Sequence, residues 1–92
     1  KFCNAYKNLS QLTGRWKVSL IFAINEEAKS YSELKSEIPN ITDRILSKQL
    51  SELQENKIIE NEKDKTKSIY TLSAKGLKIL TLLQHINELD LT

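Results

Sequence analysis

Hydrophobic residues recur at helical spacing through the middle of the chain, and polar residues bound this segment at both ends. One face of the predicted helix carries Leu46, Leu50 and Leu53. Thr42 can act as its N-cap, and Asn56 tolerates the left-handed backbone at which many helices end. The pattern therefore predicts an amphipathic helix over about residues 43–56.

The opposite face of this helix is polar. It carries four side chains at i, i+3, i+4 and i+7 spacing, which are Arg44, Ser47, Lys48 and Ser51. Arginine and lysine bind phosphates and guanine edges, and serine makes short hydrogen bonds, so this face suits a helix lying in a DNA major groove. An ordinary solvated helix face has the same polarity, so both interpretations stay open on this pattern alone.

Two more helices are predicted nearer the start of the chain. Near-helical spacing links Phe2, Tyr6, Leu9 and Leu12. This short helix is expected to stop at Gly14. Residues 15–27 predict a second helix with a stronger apolar pattern. Its apolar positions are Trp16, Leu20, Ile21 and Ile24 on one side and Val18 and Phe22 on another. Because it is apolar on two sides, we expect this second helix at the centre of the core.

A short helix and a turn precede the polar-faced helix. Residues 31–38 predict this helix, which Ser30 or Ser32 can cap. It ends before Pro39, because proline disfavours helical geometry in the residue before it, and Asn40 continues the turn. Two short helices joined so tightly are typical of a helix-turn-helix motif, although a generic helical hairpin has a similar pattern.

The segment after the polar-faced helix has the composition of a β-hairpin. Residues 58–59 and 68–72 predict two strands, and the polar run 61–67 predicts the loop between them. A hairpin here, over about residues 58–72, would be the wing of a winged-helix fold. Its lysines at alternate positions are Lys63, Lys65 and Lys67. They can reach a phosphate backbone or the adjacent minor groove, and the alternative is a charged, solvated hairpin tip.

Ser73 can cap a last helix, which runs from about residue 74 to residue 89. More than half of its circumference is apolar, through Leu77, Ile79, Leu80, Leu82, Leu83, Ile86 and Leu89. One domain cannot cover so wide a face, so we expect a partner. Two-fold dimers are the commonest soluble oligomers, so the expected partner is a second copy, joined by the aromatic N-terminal segment; a C-terminal extension is the alternative.

Composition indicates one globular domain, residues 1–92, with 39% hydrophobic and 28% charged residues. The net charge of +2 is weakly basic, so charge alone does not indicate nucleic-acid binding. No apolar run approaches the ~20 residues of a membrane span and no signal-peptide pattern opens the chain, so we expect a cytoplasmic protein. The absence of methionine suggests a piece trimmed from a longer chain.

Neither an enzyme nor a metal or cofactor site is expected. The single histidine, His85, and the single cysteine, Cys3, fall on different predicted helices, and His85 reads as a polar edge of the last one. The two glycines cannot form a phosphate loop, and Gly76 is expected to permit close packing. Cys3 has Lys1 and Lys7 nearby, which favour a reactive thiolate, although a free cysteine is also commonly inert.

Short motifs follow one another in a characteristic order. The first half of the chain holds Cys3, Gly14-Arg15-Trp16, Tyr31-Ser32-Glu33-Leu34 and Ile38-Pro39-Asn40-Ile41. The second half holds Leu46, Leu50, Ser51, Leu53, Ile58-Ile59, Tyr70, Leu72, Ser73 and Gly76. In order and spacing, over almost the whole chain, these motifs resemble the HxlR-type family of bacterial winged-helix transcriptional regulators, which is related to the MarR group.

The resemblance implies a fold class that is α+β, mainly α: a winged helix-turn-helix with N- and C-terminal dimerisation helices. It implies a homodimer whose recognition helices enter the major groove with the wings beside them. Some family members sense oxidants or electrophiles through an N-terminal cysteine, so the resemblance also makes Cys3 a candidate redox sensor.

The chain departs from the family pattern at several positions. The family usually has Arg-Phe at Tyr31-Ser32, proline at Asn4, glutamate at Gln54 and glycine at Lys57. The first departure removes an arginine expected to bind a phosphate or an acid. The second weakens the correspondence at Cys3.

Together, these patterns predict a dimeric, sequence-specific DNA-binding transcriptional regulator. Its partner would be double-stranded operator DNA, contacted by the four polar residues of the helix and the three hairpin lysines. Arg44 is the best candidate for paired hydrogen bonds to a guanine. An unidentified small-molecule effector is compatible with this function. The alternative is a winged-helix module that binds protein and not DNA, which the balanced charge of residues 41–71 favours.

Overall fold

After a helical N-terminal segment at residues 4, 5, 7 and 9, the chain forms four helices and three short strands within the described residues. The computed structural model describes these residues together with 14–64 and 67–89. The first half holds helix α1 (Arg15–Glu26), strand β1 (Lys29–Ser30), helix α2 (Tyr31–Glu37) and helix α3 (Asp43–Glu55). The second half holds strand β2 (Ile59–Asp64), strand β3 (Lys67–Leu72) and helix α4 (Ala74–Asn87). The four predicted helices from residue 15 onward are confirmed, each ending one or two residues earlier than expected.

Hydroxyl side chains begin three of the helices, as the sequence predicted. Ser30, Thr42 and Ser73 accept hydrogen bonds from the backbone N–H groups of Glu33, Ile45 and Gly76 at 3.3, 3.2 and 3.0 Å. Ser30, and not Ser32, caps α2, and it forms a capping box because its own N–H donates to the Glu33 carboxylate at 3.0 Å. The hydrogen bonds from Ser30 are the main reason that the pKa of Glu33 lies below its ordinary value of 4.5.

The core is a single cluster of aliphatic side chains and one tyrosine between the helices and the sheet. Its members are Leu20, Ile21 and Ile24 of α1, Leu34, Ile38 and Ile41 around α2, Leu46, Leu50 and Leu53 of α3, and Ile58, Ile59, Tyr70, Ile79 and Leu80. Leu20 and Ile21 have no exposed surface, which confirms α1 as the central helix. Each buried leucine or isoleucine stabilises the fold by about 1.5–3 kcal/mol, so α1 anchors the elements around it.

The sheet is antiparallel, with strand order β1-β3-β2. β2 and β3 pair without interruption from Ile59 opposite Leu72 to Asp64 opposite Lys67. The predicted hairpin loop over residues 61–67 was therefore wrong, because most of that polar run lies in paired strands. Backbone pairing does not require apolar side chains, and charged residues are well suited to an exposed edge strand.

Strand β1 was not predicted. Its two residues, Lys29 and Ser30, pair with Tyr70 and Ile69 of β3. A strand of two residues is too short to show an alternating pattern, so only the approach of β3 reveals it. This pairing ties the start of α2 to the hairpin.

The helix-turn-helix is closed by a turn at Asn40, whose φ of +65° confirms the turn predicted there. The end of α3 differs from the prediction. Asn56 is the C-cap, but its φ is −84° and it does not adopt the left-handed backbone. Lys57 adopts that conformation instead, with φ of +61°, and its N–H donates to the Gln54 carbonyl at 2.9 Å. The left-handed residue is therefore the one at which the resembling family usually has glycine.

Gly76 lies where the start of α4 crosses the beginning of the hairpin. A Cβ atom at this position would overlap the carbonyl oxygen of Ile58 and press on the Leu72 side chain. The Ser73 hydroxyl lies 2.6 Å from the Lys57 carbonyl oxygen and 2.9 Å from that of Ile58, within donating distance of both. The expectation that Gly76 permits close packing is therefore confirmed.

Candidate nucleic-acid interface

The two faces of α3 separate as the leucine spacing predicted. Leu46, Leu50 and Leu53 are at most 2% exposed and lie in the core. Arg44, Ser47, Lys48 and Ser51 are all exposed. The structure thus brings the four residues predicted to contact DNA together on one solvent-facing side of a helix whose other side is firmly anchored.

An acidic residue, which the sequence interpretation missed, shares this exposed face. Glu55 is exposed and lies four residues after Ser51 and seven after Lys48. Extending the same helical spacing by one turn would have found it. A carboxylate here repels phosphate but can accept a hydrogen bond from the cytosine amino group, so the face is not purely a phosphate-binding surface.

Tyr31 joins the two helices of the helix-turn-helix on one flank of α3. Its hydroxyl lies 3.1 Å from Oδ1 of Asp43, 3.3 Å from the Asp43 carbonyl oxygen and 3.3 Å from Oγ of Ser47. The phenol therefore links α2 to the first two turns of α3 and holds Ser47 at the edge of the exposed face. The resemblance pointed to a lost arginine at this position, but it did not reveal this bridge.

An ion pair fixes the opposite flank of α3 to α1. Nζ of Lys17 lies 2.6 Å from Oε1 of Glu52, and the lysine side chain is only 12% exposed. The hydrogen bond from Lys17 is the main cause that lowers the pKa of Glu52 below 4.5. The negative charge of Glu52 is thus paired with a lysine of the same chain.

The lysines of the hairpin do not lie on one face. Residues directly opposite each other in the pairing share a face, and faces alternate along each strand. Lys63 lies opposite Ser68, on the same face as the buried Tyr70. Lys67 lies opposite Asp64, on the other face. Their alternate positions in the sequence do not place this pair on one face, because each residue stands on a different strand.

Lys67 also influences a carboxylate on α2. Its charge is among the causes that lower the pKa of Glu33, after the hydrogen bonds from Ser30 and the charge of Lys29. Lys65, the third predicted hairpin lysine, lies outside the described residues.

A broad apolar surface lies away from α3. The large hydrophobic residues that are more than half exposed are Leu9, Leu77, Leu82, Ile86 and Leu89. Part of this surface lines a groove of about 840 Å³ between the N-terminal segment, α1 and α4. The exposed His85 borders the same groove. Such a surface is unusual for a monomer, because apolar area left in water is unfavourable.

Several predicted features cannot be placed. Cys3, the candidate redox sensor, lies outside the described residues, as do Phe2, Tyr6 and Leu12 of the predicted N-terminal helix. Within the described part of the chain, no three histidine, cysteine or acidic residues come together as metal ligands. Across these same residues, every helix is too short or too polar to span a bilayer.

Comparison with known proteins identifies relatives of this architecture. The HTH-type transcriptional regulator YodB of Bacillus subtilis (strain 168) is 31% identical over 80 residues, which cover 84% of this chain and 71% of YodB. The solved reduced form of YodB superposes with a TM-score of 0.82 at 29% identity, covering 89% of this chain and 83% of that one.

Two further proteins are similar. YdzF, an uncharacterised HTH-type transcriptional regulator of Bacillus subtilis (strain 168), is 33% identical over 82 residues, or 85% of this chain and 75% of YdzF. The redox regulator HypR in its oxidised form has a TM-score of 0.85 at 27% identity, covering 94% of this chain and 92% of that one. These likenesses confirm the winged helix-turn-helix fold.

The relatives named as HTH-type transcriptional regulators match along nearly the whole chain, and a family model described as HxlR-like helix-turn-helix matches residues 11–90. That span contains every helix and strand from α1 to α4. The chain therefore belongs to the HxlR-like helix-turn-helix family of transcriptional regulators.

Proposed function

We propose that the protein is a dimeric, sequence-specific DNA-binding transcriptional regulator in which α3 is the recognition helix. The observation that carries this proposal is the exposed face formed by Arg44, Ser47, Lys48 and Ser51. A helix whose leucine face is buried can enter the major groove as a rigid body, so its outward side chains meet base edges without a cost in refolding. Membership of the HxlR-like family supports the same function.

Arg44 is the principal base-reading residue of this proposal. It lies in the first turn of α3, and the first turns of a recognition helix contact the base edges. A guanidinium can donate two parallel hydrogen bonds to O6 and N7 of a guanine, a pair that contributes about 1–3 kcal/mol of discrimination. Ser47 and Ser51 supply short hydrogen bonds, and Lys48 contacts a phosphate or a second guanine.

The hairpin is proposed as a wing that contacts the phosphate backbone. Lys63 and Lys67 lie on opposite faces of the hairpin, so they do not both point toward the same DNA strand. The role of Lys65 stays a prediction from the sequence.

Two copies of the chain form the proposed DNA-binding unit. The exposed leucines and isoleucine of α4, together with Leu9, supply an apolar surface that a second copy can cover. The two recognition helices would then enter successive major grooves about 10 bp apart on a pseudo-palindromic operator. The apolar groove beside α4 is a candidate site for a small-molecule effector.

A response to oxidants or electrophiles through Cys3 is a refinement of this function. HypR is named as a redox regulator, and YodB has been solved in diamide-treated and quinone-bound forms. We expect Cys3→Ser to keep the DNA affinity of the wild type and to lose any change of affinity on diamide treatment. A Cys3→Ser protein that still responded to diamide would exclude this cysteine as the sensor.

Selection of bound sites from random duplex DNA tests the proposed function. The wild type is expected to enrich a pseudo-palindromic sequence, and Arg44→Ala to lose the preference at one base pair of each half-site, with an affinity about 5-fold to 150-fold lower. Lys78→Gln, which removes one charge from an exposed position on α4, serves as the control and should select the same sequence as the wild type.

Binding of random duplex DNA at low salt separates the proposed function from its alternative. A regulator that reads DNA also binds random duplex at low salt, because counterion release drives non-specific binding. A wild-type protein that bound no duplex at low salt would exclude DNA recognition and favour a module that binds protein.

A further inference from the structure

A second cleft lies beside α3, on the flank that faces α1. It has a volume of about 650 Å³ and is lined by Trp16, Thr42, Arg44, Ile45, Lys48 and Gln49. We name it the Trp16 cleft. Arg44 and Lys48 border it from the proposed DNA-binding face, whereas Trp16 belongs to the first turn of α1. The cleft therefore joins the recognition helix to a different helix at the surface.

The first turn of α1 carries an arginine that is held in place. The guanidinium carbon of Arg15 lies 4.6 Å from the centre of the Trp16 ring, and Arg15 is exposed. Stacking on an indole restrains an arginine side chain and leaves the edge of its guanidinium free to donate hydrogen bonds. Arg15 thus presents an ordered cation beside the Trp16 cleft.

The acidic residue on this flank of α3 is neutralised by an ion pair. Glu52 lies on the same flank of α3, four residues after Lys48, but its carboxylate is paired with Lys17 at 2.6 Å. Arg44 and Lys48 therefore line the cleft beside a carboxylate that is already paired. Arg15 is a third cation next to it, because it stacks on Trp16. Polar groups accompany them, since the Thr42 hydroxyl and the Gln49 amide can both donate hydrogen bonds.

The two flanks of α3 differ in the open space beside them. The α2 flank is filled by the hydrogen bonds of Tyr31 to Asp43 and Ser47, whereas the α1 flank is the open Trp16 cleft. A major groove is about 12 Å wide, close to the diameter of a helix with its side chains, so each flank of an inserted helix faces one sugar-phosphate backbone.

We propose that the Trp16 cleft binds the DNA backbone on the α1 side of the recognition helix, with Arg15 as a phosphate ligand. This inference rests on the proposed function and adds to it a contact from outside the helix-turn-helix and the wing. Arg15 lies on α1 and not on α3, so it meets phosphate and no base edge. Its contribution is therefore independent of DNA sequence, and it sets how deeply and in which register α3 enters the groove.

Arg15→Gln tests this assignment on two probes, a random-sequence duplex and the duplex enriched by selection with the wild type. Loss of one phosphate contact flattens the slope of log K against log salt by about one. We expect a five- to tenfold weaker affinity at about 0.1 M salt for both duplexes alike, with the preferred sequence unchanged. Arg15→Lys, which keeps the charge but loses the planar stack, should keep the wild-type slope.

Two controls keep the result specific. Lys78→Gln removes the same charge from α4 and should change the slope by much less than Arg15→Gln. Arg15 also borders the apolar groove, so sedimentation of each variant checks that its association state equals that of the wild type. A duplex with single neutral methylphosphonate substitutions then locates the contact, because the position that Arg15 binds should weaken the wild type and leave Arg15→Gln unaffected.

The outcomes that overturn the inference differ from those that overturn the proposed function. If the wild type binds duplex DNA but Arg15→Gln matches Lys78→Gln in slope and affinity, the Trp16 cleft is not a phosphate site. A change of base preference in Arg15→Gln would also overturn the assignment. A wild type without duplex binding at low salt would instead remove the proposed function itself.

Discussion

Helices α3 and α4 have similar lengths, caps and core contacts, but the outward face of α3 is polar and that of α4 is apolar. They contain 13 and 14 residues, and each begins at a hydroxyl cap, Thr42 or Ser73. Each also sends aliphatic side chains into the same core. The outward face of α3 is charged and hydroxyl-bearing, whereas α4 exposes three aliphatic residues, Leu77, Leu82 and Ile86, by more than half.

The difference shows that the inward face of a helix determines the fold and the outward face determines the partner. A polar outward face is stable in water, so α3 keeps its side chains available for a polar ligand such as DNA. Removing apolar surface from water is favourable by about 25 cal/mol for each Å². A protein surface that covers the outward face of α4 would therefore stabilise it. The two helices are therefore expected to respond to mutation in different ways.

The largest expected effect distinguishes the two faces of α3. Leu50→Ala removes a side chain that is 2% exposed and should lower the free energy of unfolding by about 2–5 kcal/mol. Ser51→Ala, one residue later on the exposed face, should change it by less than about 0.5 kcal/mol. Urea denaturation of both variants measures the contrast. Equal losses in the two variants would contradict the separation of inward and outward faces.

The next effect concerns the outward face of α4. Leu82→Asp combined with Ile86→Asp places charges on the apolar surface and should weaken self-association at least about 100-fold, or about 2.8 kcal/mol. Thr81→Asp combined with Gln84→Asp adds the same charges to polar exposed positions of the helix and is the matched control. Sedimentation equilibrium reports the association. A wild type that is monomeric at high concentration would show that a second copy does not cover α4.

A smaller effect is expected where α3 ends. Lys57 holds a left-handed backbone, which is unfavourable for a residue with a Cβ atom, whereas α4 ends at Glu88 in ordinary right-handed geometry. Lys57→Gly should therefore stabilise the protein by about 0.5–1 kcal/mol, after the greater chain entropy of glycine is counted. Lys57→Ala keeps the Cβ atom and should not stabilise. Thermal denaturation compares them, and equal stability of the two variants would argue against backbone strain at this residue.

The smallest effect is a dependence of stability on pH, caused by the ion pair between Lys17 and Glu52 that holds α3. Among the described residues, α4 has no such ion pair. The pKa of Glu52 is lower in the folded chain than its ordinary value of 4.5, so its contribution to stability is present above about pH 4.5. That contribution disappears as the pH falls through the lowered folded pKa. Glu52→Gln should therefore be slightly less stable than the wild type at neutral pH and equal to it in strong acid. A stability difference that did not change with pH would contradict this linkage.

Local patterns in the sequence predicted most of the helical framework. The caps at Thr42 and Ser73 were found because each hydroxyl stands directly before a helical period, and Ser30 was one of the two candidates for its helix. The two faces of α3 were found because helical spacing is a property of consecutive residues. Composition predicted the β-hairpin of the wing. The resemblance then favoured a helix-turn-helix for the two short helices, which spacing alone did not distinguish from a generic helical hairpin.

The strands and the flanks of α3 were not predictable in this way. Strand β1 has two residues and exists only because β3 lies beside it. The extent of β2 depends on its pairing with β3, and this pairing places Lys63 and Lys67 on opposite faces. Tyr31 and Lys17 reach α3 from 16 and 35 residues away in the sequence, at Ser47 and Glu52. No local pattern records such distant contacts.

By itself, the sequence determined where the helices begin, which sides of them enter the core, and that α3 and α4 face outward with different chemistry. These properties depend on neighbours within about one or two helical turns, where backbone hydrogen bonds and side-chain spacing act directly. Only the tertiary structure decided which cations stand together. Trp16 lines a cleft with Arg44 and Lys48, and Lys17 pairs with Glu52, because packing of the core brings distant segments into contact. This packing sets the charge beside α3.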